Sequence, residues 1–261
     1  MPLPKALLCV LGPQATNETP EESQLRASGF ATATIFWQEV EAQTRGWMQL
    51  LPVLDDEAVL AWVFAGHPAD FTDGLLSRIS MLTLGLKRQT PPMTAFVLTG
   101  SGGEPAFPAL LAHIRVFYGN TTFAAKLAAA RVKPRQPLPR PFHITAHVDP
   151  LVGQWLEVGP PPGDVWQGFM AGVTGAEVEA FGVGSRGAVP QKATLHYPLC
   201  GIKGDWGDVP FSACAAKNEI GRDAACYMRV DGSPKTLFIT DYPEDEKKIG
   251  SDRKMLTLEL F

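Results

Sequence analysis

A chain of 261 residues, 45% hydrophobic and 19% charged, can bury a sizeable core and is too apolar to be disordered as a whole. Its net charge of −4 is evenly spread, with nine basic and eleven acidic residues up to 132 and fourteen and sixteen after it. A nucleic-acid binder neutralises phosphates with a basic excess, so no nucleic-acid partner is expected.

Lys5 and the apolar run Ala6–Leu11 resemble the start of a signal peptide. The run is shorter than the ~7–15 residues of a secretory core, and Leu8 before Cys9 is too large for lipoprotein processing. It reads as a first buried strand. No segment approaches the ~18–20 apolar residues that span a bilayer, so no membrane partner is expected. Cys9, Cys200, Cys214 and Cys226 lack CxxC spacing, which points to free thiols in a reducing, cytoplasmic setting.

The polar stretch Gly12–Gln24 is a loop with room for one helical turn. Phe30–Trp37 alternates as a strand does, Gln38–Leu51 is a helix ended by Pro52, and Val59–Ala65 is a strand buried on both faces. Phe71–Arg88 is a helix with Leu75, Ile79, Leu82 and Leu86 on one stripe. Thr94–Thr99 follows as a strand, Pro105–Tyr118 as a helix, and Thr122–Val132 as an alanine-rich helix. Strands alternating with helices predict an α/β domain over 1–132, its sheet at least partly parallel.

Lys133–Arg140 holds three prolines in eight residues, a stiff extended segment, so 133–141 is assigned as a linker. Beyond it, 142–261 reads as strands alone: Phe142–Val148, Gly153–Val158, Val165–Met170, Ala176–Val183, Ala193–Tyr197, Ala225–Val230, Leu237–Thr240 and Met255–Phe261. Turn signals at Pro160–Gly163, Gly184–Gly187 and Asp231–Pro234 separate them, the pattern of an antiparallel sandwich or barrel. The charged run Glu244–Lys248 is expected to be a solvated loop.

Chemistry is sparse. Gly100-Ser101-Gly102-Gly103, between a strand and the helix expected from Pro105, could cradle an anion with its amides, so Gly100, Gly102 and Gly103 are candidate ligand-binding residues. Glu104 opposes a phosphate there, and Pro at a helix start favours a plain turn. His143 and His147 lie on a predicted strand, where four residues span about 13 Å, too far for one metal. No metal or cofactor is expected. His196 and Cys200, with Lys203 nearby, suggest an imidazole-activated thiol and are the candidate catalytic pair. Ser185 lacks the glycine two residues earlier that a nucleophile elbow needs.

On the Phe71–Arg88 helix, Leu76, Met81 and Leu84 point away from the main stripe. They either wedge the helix between two layers or form an interface. Trp155, Trp166 and Trp206 fit either a ligand-binding β domain or its core. With no complete catalytic constellation, the chain reads as a non-enzymatic binding or accessory protein that engages another protein. The alternative is a cysteine-dependent hydrolase or transferase with its site at the domain junction.

Overall fold

The computed structural model describes residues 3–14, 17–88, 90–103, 105–119, 122–130, 140–206, 208–243 and 255–260. Five strands form a wholly parallel sheet: β1 (Lys5–Val10), β2 (Ala31–Phe36), β3 (Val59–Gly66), β4 (Met93–Leu98) and β5 (Arg115–Tyr118). Their order, β2-β1-β3-β4-β5, is that of a doubly wound sheet. Period-two alternation gives each inner strand two apolar faces. One face joins Leu8, Val63 and Val97 to Leu25 of helix α1 (Pro20–Ala27) and to Phe123 and Leu127 of another helix, Phe123–Ala130. The other carries Trp62, Phe64 and Phe96, with Trp37 6.1 Å from Phe64 and Phe71 and Phe107 each 5.0 Å from Phe96. Burial on both sides explains the unbroken apolar run of β3.

Two predicted helices are corrected. The helix expected over Gln38–Leu51 is α2 (Trp37–Ala42), a 3-10 turn at Gly46–Gln49, and α3 (Leu50–Asp55). Arg45 sits at φ 56° and a Cβ on Gly46 would lie 2.2 Å from the Val40 carbonyl oxygen, so the chain breaks there. Pro52 falls in the first turn of α3, where its missing N–H is not needed. Helix α4 spans Asp73–Gly85, capped by the Thr72 side chain. Pro105–Tyr118 is not a helix: Pro108 disfavours helical geometry at Phe107, and only a short 3-10 turn at Ala109–Leu111 precedes β5. The alanine-rich helix forms as α5, Phe123–Ala130.

The second sheet is antiparallel: β6 (His143–Asp149), β7 (Gly153–Gly159), β8 (Trp166–Ser185), β9 (Leu199–Trp206), β10 (Val209–Ile220), β11 (Ala224–Thr240) and β12 (Leu256–Glu259). The order is β6-β7-β11-β8-β10-β9, with β12 on β11, in a sandwich- or barrel-like unit. Two pairs of predicted strands are each one long bent strand. Val165–Met170 and Ala176–Val183 merge in β8, where Gly175 takes φ 74°. Ala225–Val230 and Leu237–Thr240 merge in β11, where Asp231–Pro234 is a register shift rather than a turn. Ala193–Tyr197 is not a strand, and β9 and β10 follow it instead.

The chain divides into two compact units, one built on the parallel sheet and one on the antiparallel sheet. The second also takes in Ser77–Gly85 and Pro108–Leu110. Of the predicted linker 133–141, only Arg140 and Pro141 are among the described residues, and Glu244–Lys248 lies outside them. No helix among the described residues is long and apolar enough to cross a membrane.

Candidate functional site

In a doubly wound sheet, consecutive connections leave β1 and β3 in opposite directions and open a crevice beyond their carboxyl ends. Here Gly66 closes β3 against β1: a Cβ on it would lie 2.7 Å from Leu11 Cβ. The next residue, His67, caps a 3-10 turn over Pro68–Asp70. Its Nδ1 accepts from the Ala69 N–H at 3.3 Å, and its own N–H donates to Asp70 Oδ2 at 2.8 Å. A neutral imidazole whose Nδ1 accepts carries its proton on Nε2. That N–H has no protein acceptor among the described residues, and the residue is exposed.

The glycines after β4 meet this histidine. A Cβ on Gly100, at φ 80°, would lie 2.9 Å from His67 Cδ2, and one on Gly102 would lie 3.0 Å from Pro68 Cγ. Gly103 has open space around it. Thus two of the three candidate glycines let the loop pack on His67, and no helix follows to point its amino end at an anion. The main-chain N–H groups of residues 100–103 have no backbone acceptor among the described residues. The edge therefore offers the His67 N–H, a run of main-chain donors and the Ser101 hydroxyl. His67 escaped the sequence reading because Gly-His-Pro looks like simple strand punctuation.

The other candidates fare differently. Cys200 lies on β9 and His196 in the segment before it, both exposed, and no hydrogen bond joins them. The His196 peptide is fixed instead: its N–H donates to Asn218 Oδ1 at 2.9 Å and its carbonyl accepts from Lys217 N–H at 2.7 Å. Leu76, Met81 and Leu84 are each about 1% exposed, which corrects their assignment to an interface. At that burial these three side chains offer no surface to a partner.

The structure also gathers a cluster that the sequence reading did not assemble. His143 and His147 share a face of β6, and Glu157 of β7 stands opposite Thr145 between them. Each histidine reaches diagonally to the carboxylate, at 2.6 Å to Oε1 and 2.7 Å to Oε2. The Gly187 N–H adds a third donor, 3.0 Å from Oε2. The Glu157 side chain is 1% exposed. Burial opposes its ionisation, but the bonds from His143, His147 and Gly187 outweigh it and hold the carboxyl well below the usual range. Burial, aided by this carboxylate, pushes the Tyr227 phenol up. Both Nε2 atoms are spent on the carboxylate, and no group among the described residues has the geometry to hold a metal. A lone glutamate within Trp-Leu-Glu-Val, beside a strand with histidines four apart, was the available signal.

The remaining thiols are buried. Burial pushes Cys9 up to about 12, a Trp62 N–H 3.2 Å from its sulfur only partly offsetting this, and Cys214 is raised in the same way. Compared with models of known protein families and with curated proteins, the chain matches none.

Proposed function

We propose that this is a non-enzymatic binding protein whose α/β unit takes a small polar ligand, rich in acceptor oxygens, at the carboxyl edge of its parallel sheet. The observation that carries the reading is the convergence, at the carboxyl ends of the neighbouring strands β3 and β4, of the His67 Nε2 donor and the main-chain donors of 100–103 that find no partner among the described residues. Glu104 in the sequence argues against a polyphosphate. Engagement of another protein, the first expectation from the sequence, loses the helix that motivated it. The cysteine-dependent alternative keeps an exposed thiol without an imidazole bonded to it.

Thermal denaturation with nucleosides, mononucleotides and flavins as probes tests the reading. One class raises Tm in a concentration-dependent way, and the shift disappears in His67→Asn, which keeps an N-cap acceptor but loses the Nε2 donor. Equal shifts in both proteins, or none with any probe, overturn it.

A further inference from the structure

The antiparallel unit contains a cavity of about 400 Å³ lined by Pro162, Gly163, Asp164, Val165, Arg186 and Arg222. Arg186 follows the last residue of β8 and is held unusually firmly for a half-buried arginine. Its Nε donates to the Ala224 carbonyl at 3.1 Å and its Nη2 to the Pro160 carbonyl at 3.0 Å. Gly159 makes room for it, since a Cβ there would lie 2.8 Å from Nη2. Its main chain is fixed too. The Arg186 N–H donates to Asp223 O at 3.0 Å, and the neighbouring Ser185 carbonyl accepts from Tyr227 Oη at 2.5 Å. On the other side, the Gly187 N–H is bound by Glu157, itself clamped by His143 and His147.

A guanidinium has five N–H donors, and two of those of Arg186 are used. Neither Arg186 nor Arg222 has a carboxylate within 4 Å among the described residues, and Arg222 makes no side-chain hydrogen bond there. Two cations and the Asp164 carboxylate leave the lining with one net positive charge, beside the apolar walls of Pro162 and Val165. An Arg186 guanidinium fixed by the main chain, beside a second cation and with no carboxylate within ion-pair distance among the described residues, suits a small organic oxyanion in a cavity with an apolar wall.

We infer that the cavity at Arg186 and Arg222 is an oxyanion-binding site, for a carboxylate or phosphate monoester with an apolar body. Buried Glu157, held by the half-buried His143 and His147, is its positioning apparatus, acting through Gly187 on the turn that carries Arg186. The site lies wholly in the antiparallel unit and does not depend on the ligand of the α/β unit.

Chemical-shift titration of the full chain with phenyl phosphate, benzoate and inorganic phosphate tests this. Phenyl phosphate or benzoate saturates shifts in Pro162–Val165 and Arg222, and the tighter of the two identifies the anion class. Inorganic phosphate binds more weakly for want of the apolar contact. Arg222→Ala, a change on an exposed turn, weakens binding about tenfold, the loss of one charge-assisted hydrogen bond. Glu157→Gln weakens it by a smaller factor and shifts the Arg186 Nε resonance, which a merely structural carboxylate elsewhere in the sheet would leave in place. Shifts that rise without saturating for every probe, or equal affinity in wild type and Arg222→Ala, overturn the inference.

Discussion

The two sheets solve the backbone hydrogen-bonding problem in opposite ways. The parallel ladder is nearly continuous, with one register shift at Lys5/Ala6, and its interior is aromatic and aliphatic. The antiparallel sheet shifts register in β8, β10 and β11, and it carries buried Gln154, Glu157, Thr174, Ser212 and Asn218. Four of these stand where the sheet is irregular. Thr174 Oγ1 accepts from Thr236 N–H at 3.2 Å, and Gln154 donates to the Gly232 carbonyl at 2.6 Å, the two sides of one shift in β11. Ser212 Oγ accepts from Val178 N–H at 3.0 Å, just past the Gly175 bend. Asn218 lies within the shift of β10. A buried main-chain group that loses its ladder partner must find another, and here a side chain supplies it. Irregularity, and not the class of sheet, is what requires a polar interior.

The comparison is most sharply broken in the parallel sheet, where packing alone is at stake. Phe64 is fully buried, its ring centroid 4.5 Å from that of Trp62 and 5.7 Å from that of Phe96. Phe64→Ala leaves a cavity between rings that cannot collapse together, and a loss of about 3–5 kcal/mol is expected. Urea denaturation followed by tryptophan fluorescence measures it. A loss near that of an exposed phenylalanine sinks the claim that this interior is held by packing.

Glu157→Gln probes the opposite principle. Glutamine offers one acceptor and one donor where two histidines and an amide all donate. One imidazole must therefore turn its lone pair inward or go unpaired, at about 1–3 kcal/mol. The pH dependence follows from the lowered carboxyl value. Its contribution is fully present above the unfolded glutamate value of about 4.3 and is lost as pH falls through that toward the folded value. Wild type therefore loses stability below about pH 4–5 more steeply than Glu157→Gln. Amide exchange at Gly187 reports the same change locally. Parallel pH profiles for the two proteins contradict the assignment of an ionised, clamped carboxylate.

The same contrast explains what was legible in the sequence. Apolar periodicity located β1, β3, β4 and α4 because continuous burial leaves a continuous signal. Pro108 and Pro52 misled in opposite directions: one breaks an apparent helix, the other starts one. Asp231–Pro234 and Thr174–Gly175 have turn composition, yet they are bends inside single strands, since a bulge and a turn use the same residues. Neither the site at His67 nor the cluster at Glu157 could be assembled beforehand. The loop that meets His67 follows a different strand, β4, and the Glu157 contacts depend on the β6–β7 register that sets Glu157 opposite Thr145.

Asn218 offers the finest test of the idea that polar side chains stand in for a broken ladder. Its Oδ1 accepts from His196 N–H at 2.9 Å and its Nδ2 donates to Thr194 O at 2.9 Å, so one amide pins a strandless segment to β10. The segment itself is largely exposed, and water can take over both bonds when the amide is removed. Asn218→Ala is therefore expected to lower global stability by only about 1 kcal/mol, while residues 194–197 lose their exchange protection. Unchanged protection there would mean that the Lys217–His196 main-chain bond holds the segment by itself. A loss as large as that of Glu157→Gln would mean that the amide anchors the whole shift of β10 rather than one loop. The smaller, local outcome follows from the exposure of His196 and its neighbours. It would separate a side chain that mends one exposed gap from one, like Glu157, whose own carboxylate is buried.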